Sequence, residues 1–318
     1  MKLVGCMAVR NEAWCLGLTL RAALMWCDEV VVLLHACTDE SQEIVEQIGR
    51  EHPNRMWMRT VAGEWDEMNH RQMMLERARG AKATHIAIVD ADELVTGNLL
   101  PPQTKKPCIM CHVEDMPKGH CLQLPMYQLR GSLDRYHANG IWGNRWLSVA
   151  FADDPKLSWS GDKFHSREPE YPGGGKLRPY QPIKHGQGGS FHLWGVSERR
   201  LRAKHALYKV TERLRWPAKA AVEIERQYNL WRSPADSPLL YLQMPAWGWP
   251  WTFANVPAEW WEPYQQLMAR HLKIHYLGTD EYPVAVDDEE PWQIAEVQRL
   301  VTQHGAETFK GLDLFGVA

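Results

Sequence analysis

The sequence predicts an α/β fold in which a mostly parallel sheet is flanked by helices. In the first hundred or so residues, apolar runs rich in β-branched residues alternate with amphipathic runs of helical period. Polar segments follow each apolar run, at the positions where open parallel sheets bind ligands. The length of 318 residues suits a catalytic domain with an appended region.

Each element is predicted from its own pattern. The predicted strands are Leu3–Val9, Val30–Leu34, Met56–Val61 and Thr84–Val89. The predicted helices between them are Ala13–Trp26, Glu40–Arg50 and Glu67–Arg79. From about Pro101 to Gly195, runs broken by Gly and Pro predict irregular strands and mobile loops. Beyond that, the predicted helices are Ser197–Arg215, Ala218–Trp231, Ala258–Lys273 and Pro291–His304.

These patterns divide the chain into a sheet domain over 1–195, with halves of about 1–100 and 101–195, and a helical region over 196–318. The formal net charge of -3 gives no overall attraction to nucleic acid. No apolar run approaches the roughly 18 residues of a membrane span, and Leu3–Val9 reads as a strand rather than a signal peptide. Seven cysteines, an odd number, favour reduced thiols in the cytoplasm.

Asp90 and Asp92 follow the fourth predicted strand. An i, i+2 spacing on extended backbone directs both carboxylates to one side. Two such oxygen ligands suit Mg²⁺ or Mn²⁺, which usually completes its shell with substrate phosphates and water. The alternative interpretation is a charged turn with no ligand.

Several segments in chain order carry a resemblance to a known family. They are Arg10-Asn11-Glu12, Ala36-Cys37-Thr38-Asp39-Glu40-Ser41, Trp65-Asp66 with Asn69-His70-Arg71, Asp90-Ala91-Asp92-Glu93, and Phe191-His192-Leu193-Trp194-Gly195 followed by Lys204 and Tyr208. Together they resemble the family-2 glycosyltransferases with the GT-A fold, in particular compact bacterial and viral members. The acidic segment is similar to that family's Asp-x-Asp motif, and the match covers roughly the first two thirds of the chain.

The resemblance implies a metal-dependent inverting transfer of a sugar from a nucleotide-sugar donor, by default a UDP-sugar, to a hydroxyl acceptor. It implies Asp90, Asp92 and His192 as ligands of Mn²⁺ or Mg²⁺. The residues it implies at the donor are Val9, Asn11, Glu12, Asp39, Arg71, Asp90, Ala91 and Lys204. Asn11 and Asp39 also fit as helix N-caps, since a helical run follows each.

The catalytic base is left open by the sequence. Many relatives have His-Glu where this chain has His165-Ser166, so Asp162 or Glu168 is the expected base, with Asp153 and Asp154 less favoured.

The acceptor is also open: a surface glycan or lipopolysaccharide is the default, and a hydroxymethylated base in viral DNA is the alternative. Two features bear on it. Eight Lys or Arg lie between Arg199 and Lys219 against one acid, either a phosphate-binding run or a solvated helix face. The late tryptophans, Trp247, Trp249, Trp251, Trp260 and Trp261, offer stacking faces or core packing. The helical region is expected to help shape the acceptor site, and the oligomeric state is not predicted.

Other classes fit less well. A nucleotidyltransferase acting on a sugar phosphate usually has a Gly-rich loop after the first strand, and a noncatalytic carbohydrate-binding protein leaves the paired aspartates unexplained. Cys108-Ile109-Met110-Cys111-His112 spells the haem-attachment pattern, which requires export. With His120 and Cys121 it is also a conceivable zinc site, without a matched second Cys-x-x-Cys pair.

Overall fold

A computed structural model describes residues 1–101, 108–161, 163, 166–228, 252–277, 284–287 and 289–317. The chain divides into two compact units. The first, here called the sheet unit, consists of Met1–Tyr127, Asn144–His192 and Pro257–Leu272. The second, the helical unit, consists of Gln128–Gly143, Leu193–Val256 and Lys273–Ala318.

The sheet unit is built on a mixed sheet whose first half is parallel. Its strands are β1 Leu3–Val9, β2 Glu29–His35, β3 Met56–Val61, β4 His85–Ile88, β5 Glu93–Val95, β6 His120–Gln128, β8 Trp146–Ala152, β11 Arg178–Tyr180 and β12 Ser190–His192. The order across the sheet is β3-β2-β1-β4-β8-β6-β12-β5, with β11 paired to β6. Strands β1 to β4 pair in parallel, whereas β8 runs antiparallel to both β4 and β6.

Helices α1 Ala13–Leu24, α2 Ser41–Glu51 and α3 Glu67–Gly80 connect the parallel strands, α4 Ile109–Glu114 precedes β6, and a small hairpin pairs β9 Glu170–Tyr171 with β10 Gly175–Lys176. The α/β fold class is confirmed. The predicted strands and helices of the first hundred residues are confirmed, with ends that differ by two residues or fewer.

A continuous apolar core fixes the register of the parallel strands. Val4, Val31 and Ile86 lie in neighbouring strands and share one core cluster with Met74 and Leu75 of α3. Each fully buried side chain of this size contributes about 1.5–3 kcal/mol. A one-residue slip would turn these side chains out of the core, so the carboxyl ends of β1, β2 and β4 are held at one edge of the sheet.

Two later predictions need correction. The region after Pro101 contains two long strands, β6 and β8, in addition to the short irregular ones. The predicted single helix Ala258–Lys273 is wrong: the chain makes two 3-10 turns and then a short helix, α8 Gln265–His271. Pro263 lies in the second turn and has no N–H to donate to a helical ladder.

The glycine-rich segment 186–189, expected to be a mobile loop, is tied to its neighbours. The Tyr127 hydroxyl accepts from Gly186 N at 2.8 Å and donates to Gly188 O at 3.3 Å. Gly189 N donates to the Thr96 hydroxyl at 2.9 Å. Three backbone polar groups of this loop are therefore hydrogen-bonded to side chains of β6 and of the segment after β5.

The helical unit packs α6 Glu198–Arg215 against α7 Ala221–Tyr228 and α9 Trp292–His304. It also contains a short helix, α5 Gly140–Gly143, and the antiparallel pairs of β7 Arg135–His137 with β13 Phe253–Asn255 and of β14 Ile274–Leu277 with β15 Val284–Asp287. The predicted helix Ala218–Trp231 begins at Ala221, and residues 229–231 lie outside the described part. Across the ranges described, no helix is both long and apolar enough to cross a membrane.

Four of the eight basic residues between Arg199 and Lys219 form ion pairs with acids. The ion pairs are Arg199–Glu290 at 2.5 Å, Arg202–Glu198 at 3.0 Å, Lys209–Glu225 at 2.9 Å, and Lys219 with Glu212. Lys209 is fully buried and also donates to the Asp313 carbonyl at 2.8 Å. These pairs favour a structural interpretation of the run over a phosphate-binding one.

His205 of α6 makes the stability of the helical unit depend on pH. Its Nδ1 lies 2.6 Å from the Tyr228 carbonyl, and burial lowers its pKa to about 3, against an unfolded value of about 6.5. As pH falls below about 6.5 the unfolded state takes up the proton first, so stability is full above that pH and then declines by up to about 1.4 kcal/mol per pH unit.

The variant His205→Asn keeps a donor for Tyr228 but cannot titrate. We expect its urea midpoint to fall less than that of the wild type between pH 7 and pH 5. Above pH 7, the midpoints of the variant and the wild type should vary with pH in the same way. Tryptophan fluorescence at each pH measures the midpoints. If plots of urea midpoint against pH for the variant and the wild type run parallel between pH 7 and pH 5, the pH dependence of stability does not come from His205.

Candidate active site at the carboxyl edge of the sheet

The segment Asp90-Ala91-Asp92-Glu93, here called the acidic turn, follows β4 and is anchored to α1. The Ala91 carbonyl accepts hydrogen bonds from the Thr19 hydroxyl at 2.6 Å and from Cys15 Sγ at 3.4 Å. Asp92 is 4% exposed and Glu93, which begins β5, is 3% exposed. The backbone of the predicted motif is therefore fixed against a buried helix, with Ala91 serving as the anchor point.

Arg167 is the central cation of the site, and the sequence analysis did not identify it. Its Nη1 donates to Asp90 Oδ2 at 2.7 Å and to Glu93 Oε1 at 3.0 Å. Its Nη2 donates to Glu93 Oε2 at 2.5 Å and to the Ile88 carbonyl at 3.0 Å, and its Nε donates to the Ser148 carbonyl at 2.5 Å. All five donors of the guanidinium are used.

The pKa values around Arg167 follow from this arrangement. Burial raises the pKa of Glu93 and outweighs the opposing effect of Arg167. Burial acts in the same sense on Asp90, but Arg167 and then Arg71 outweigh it and lower the pKa. Burial opposes the charge of Arg167, whereas Glu93 and Asp90 raise its pKa. The cluster is an ionic network whose Glu93 and Arg167 side chains are 4% and 16% exposed and whose Asp90 side chain, at 36%, lies at its rim.

Asp92 and His192 are brought together by strand pairing. His192 ends β12, which pairs with β5 so that His192 lies opposite Glu93. The His192 Nε2 lies 3.5 Å from Asp92 Oδ2. The third predicted metal ligand, Asp90, is instead held by Arg167 and, at 3.5 Å, by Arg71.

Within the described part of the chain, no group of three or more His, Cys, Asp or Glu side chains is disposed to hold a metal ion. The Asp92 carboxylate is nevertheless a suitable ligand for Mn²⁺ or Mg²⁺, and the His192 imidazole is a ligand more typical of transition-metal ions. Mn²⁺ and Mg²⁺ are commonly held in phosphate sites by one or two protein ligands, and substrate oxygens and water complete the shell. Asp92 and His192 fit this smaller ligand set.

The loops that follow β1 and β2 are fastened to each other. Asn11 has a φ of 54°, and its Oδ1 accepts from Thr38 N at 2.7 Å. The two carboxylate oxygens of Asp39 accept from Ala13 N at 2.9 Å and Ser41 N at 3.0 Å. Asp39 therefore satisfies the first turn of α1 from the neighbouring loop, a variant of the N-cap role. Asn11 bonds the next loop rather than its own helix.

The other donor-side residues are placed as follows. Glu12 accepts from the Trp14 indole at 2.6 Å, and the Val9 carbonyl accepts from Cys37 Sγ at 3.6 Å. Lys204 lies on α6 of the helical unit, with its Nζ 5.9 Å from the ring centre of Trp194.

Three aromatic side chains meet at the same edge. Trp65 and His70 belong to the segments that carry the resemblance, but their contact with His35 was not predicted. His35, Trp65 and His70 have ring centres 4.8–5.1 Å apart. His35 Nε2 lies 3.0 Å from the Gly63 carbonyl, and burial is the main cause of the lowered pKa of both histidines. Within the described residues, both buried Nδ1 atoms lack a hydrogen-bond partner. His35 ends β2, and Trp65 and His70 follow β3. Their positions at the carboxyl ends of these strands were the sequence signal that could have identified them as site residues.

The candidate bases are only partly described. Asp162 and His165 lie outside the described residues. Glu168 is half-buried, and its Oε1 accepts from the Ser148 hydroxyl and from Gln123 Nε2 at 3.4 Å. Asp153 is paired with Arg79 at 2.9 Å, which indicates a structural role.

Asp154 accepts from Lys156 N at 2.9 Å within its own turn.

The remaining alternatives concern cysteines and tryptophans. Burial raises the pKa of the Cys121 thiol to about 12, and in the described ranges Cys108, Cys111, His120 and Cys121 do not form a metal-binding group.

Trp260 and Trp261 are core residues: both are buried, and Trp261 stacks on Phe191 with ring centres 4.2 Å apart. Trp247, Trp249 and Trp251 lie outside the described residues.

No protein-family model and no curated protein matches the chain. Several solved structures match, and some contain a sugar nucleotide. S. aureus TarS in complex with UDP-GlcNAc is 23% identical over 30% of this chain and 28% of its own length, with a TM-score of 0.24. The chain thus spans less than a third of that structure.

The structure of S. aureus TarS 1-349 is 14% identical over 92% of this chain and 98% of its own, with a TM-score of 0.40. The mannosyltransferase PcManGT from Pyrobaculum calidifontis, in complex with GDP-Man and Mn2+, is 13% identical over 76% of this chain and 73% of its own, with a TM-score of 0.36.

Proposed function

We propose that this protein is an inverting glycosyltransferase that uses a nucleotide-sugar donor and a divalent metal ion. The observation that carries the proposal is the convergence of Asp92 and His192 beside the Asp90–Arg167–Glu93 network at the carboxyl edge of the parallel half of the sheet. Open α/β sheets bind ligands at this edge. Four of the five segments that resemble the family-2 enzymes follow β1, β2, β3 and β4.

The donor is proposed to lie against the loops after β1, β2 and β3. The hydrogen bonds of Asn11 and Asp39 hold two of these loops in one arrangement before any ligand arrives. Preorganised loops lower the entropy cost of binding. The half-buried ring of Trp65, which packs edge-on against the buried His35, offers an apolar surface to a nucleobase.

The metal is proposed to bind through Asp92 and His192. When bound, Mn²⁺ or Mg²⁺ would neutralise charge on the departing diphosphate. The chain's own part is positioning, because Arg167 and the Ala91 carbonyl fix the turn from which Asp92 projects. Arg71 is the second guanidinium at Asp90, with its Nη2 3.5 Å from Asp90 Oδ1, and it is proposed to face the donor phosphates.

The transfer itself is a direct displacement. The acceptor oxygen forms a bond to the anomeric carbon, the bond from that carbon to the diphosphate oxygen breaks, and the electron pair leaves with the diphosphate. The acceptor proton passes to a carboxylate of the chain, for which we propose Glu168. Its second oxygen, Oε2, takes part in neither of the bonds to Gln123 and Ser148 and would accept the proton.

Calorimetric titration of the full chain tests the proposal. UDP, GDP and CDP are each titrated with and without Mn²⁺. Metal-dependent binding of at least one nucleotide is expected, and that nucleotide names the donor class. If none binds under either condition, the transferase proposal fails and a noncatalytic carbohydrate-binding protein becomes the better description.

The base is tested separately. Glu168→Gln retains hydrogen bonding to Ser148 and Gln123 but loses the basic oxygen, so kcat is expected to fall by about 10²–10⁴. Nucleotide affinity should remain within about twofold. Initial rates of sugar transfer measure the first quantity and calorimetry the second. Unchanged kcat would remove Glu168 from the mechanism and leave Asp162 as the candidate.

A further inference from the structure

One side of β6, β8 and β11 carries a row of hydrogen-bonded polar side chains. Gln123 of β6 is paired with Ser148 of β8, and Gln123 Nε2 donates to the Ser148 hydroxyl at 3.2 Å. Gln181, just after β11, donates to Gln123 Oε1 at 2.7 Å. Glu168 accepts from both Gln123 and Ser148. These bonds place all four side chains on one side of the sheet.

An aromatic pair extends the row. Trp146 lies two residues before Ser148 in β8, so strand alternation directs it to the same side. The ring of His185 packs edge-on against it, with centres 5.1 Å apart. Trp146 is half-buried and His185 is exposed, so a ligand can reach the rim of the pair.

The row lies next to the acidic turn. Arg167 precedes Glu168 in the chain and bonds both the Ser148 carbonyl at 2.5 Å and Asp90 at 2.7 Å. A group bound along the row therefore has one end near the residues that hold the donor side of the site.

The chemistry of the row selects one class of ligand. Amides, a hydroxyl and a carboxylate exchange hydrogen bonds with sugar hydroxyls, and an indole or imidazole packs on the apolar face of a pyranose ring. None of the six side chains is Lys or Arg, on which recognition of a polynucleotide backbone depends.

We propose that this row is the acceptor site and that the acceptor is a pyranose of a neutral glycan. The six residues that form the site are Gln123, Trp146, Ser148, Glu168, Gln181 and His185. The proposal rests on the proposed transferase function, because it assigns the second substrate of the same reaction.

Ligand-observed saturation-transfer NMR on the full chain tests it, with UDP and Mn²⁺ present. The probes are the methyl glycosides of glucose, galactose and N-acetylglucosamine. We expect at least one to receive saturation, and its affinity to fall about tenfold in Trp146→Ala and in Gln123→Ala. The matched control is Tyr180→Ala, a half-buried aromatic of β11 whose side chain alternates to the other side of the sheet from Gln181.

The outcomes separate this inference from the function on which it rests. If no glycoside binds, or if Trp146→Ala and Gln123→Ala bind as the wild type does, the acceptor assignment is overturned. It is also overturned if a single-stranded oligonucleotide containing 5-hydroxymethylcytosine displaces the glycoside. Glycoside binding that depends on Trp146, without any nucleotide binding, supports the sugar site and refutes the transferase.

Discussion

Replacing Arg167 with methionine is expected to lower the free energy of unfolding by about 3–5 kcal/mol, the largest stability effect in the sheet unit. The substitution leaves Asp90 and Glu93 without their shared cation, and Glu93 is 3% exposed. Removing one partner of a buried ionic network leaves an uncompensated charge, which costs that much. Urea denaturation at pH 7 followed by tryptophan fluorescence measures the change.

The loss should also depend on pH. Without Arg167 the raised pKa of Glu93 rises further and the main cause of the lowered pKa of Asp90 is lost, so the folded state binds protons more tightly and gains stability as pH falls. The loss at pH 5 is therefore expected to be smaller than at pH 8. The double variant Arg167→Met with Glu93→Gln should recover part of the stability because one buried charge is gone.

Arg299→Met is the matched control for this experiment. Arg299 also forms a carboxylate pair, with Glu296, but 56% of its side chain is exposed. Exposed pairs contribute less than about 1 kcal/mol. Equal losses in Arg167→Met and Arg299→Met would contradict the interpretation of Arg167 as the cation of a buried network.

The second large effect is expected at Asp92. Asp92→Asn keeps the volume and one oxygen of the side chain but removes the negative charge that faces His192. Metal-dependent nucleotide binding should be abolished, and transfer should slow by about 10²–10³ through lost stabilisation of the leaving diphosphate. Calorimetry with and without Mn²⁺, together with initial rates, measures both.

Asp154→Asn provides the control, because Asp154 is an aspartate of the same unit whose carboxylate accepts a hydrogen bond from Lys156 N within its own turn. Its nucleotide affinity and rate should match those of the wild type. If Asp92→Asn also behaves as the wild type, the metal does not bind at the acidic turn, whatever the protein's activity.

The parallel half of the sheet could be predicted because its signals are local. Each strand is a short apolar run, each helix repeats its apolar residues at helical spacing, and the predicted ends differ from the observed ends by two residues or fewer. Asp90 and Asp92 could be placed for the same reason, since a motif next to a strand end needs no tertiary information. The prediction of a single helix Ala258–Lys273 was wrong because Pro263, which has no N–H to donate, interrupts the helix despite the helical spacing of the apolar residues.

The partners of the motif could not be predicted. Arg167 is separated from Glu93 by 74 positions, and nothing local to Arg167 marks it as the residue whose five donors meet the acidic turn. The same limit applies to the His35, Trp65 and His70 cluster, which forms only when β2, β3 and α3 come together. Side chains that act through distant contacts leave no periodic trace in the chain.

The segments of the two compact units alternate along the chain. The sheet unit takes Pro257–Leu272 from beyond the long stretch Leu193–Val256 of the helical unit. In that late piece, Tyr264 donates to the Val95 carbonyl at 2.6 Å and Trp261 stacks on Phe191. A gene recombining at one breakpoint near residue 195 would separate the sheet from part of its own core. The helical unit consists of three separate segments of the chain, so its exchange between related genes would need a recombination breakpoint at each boundary of those segments.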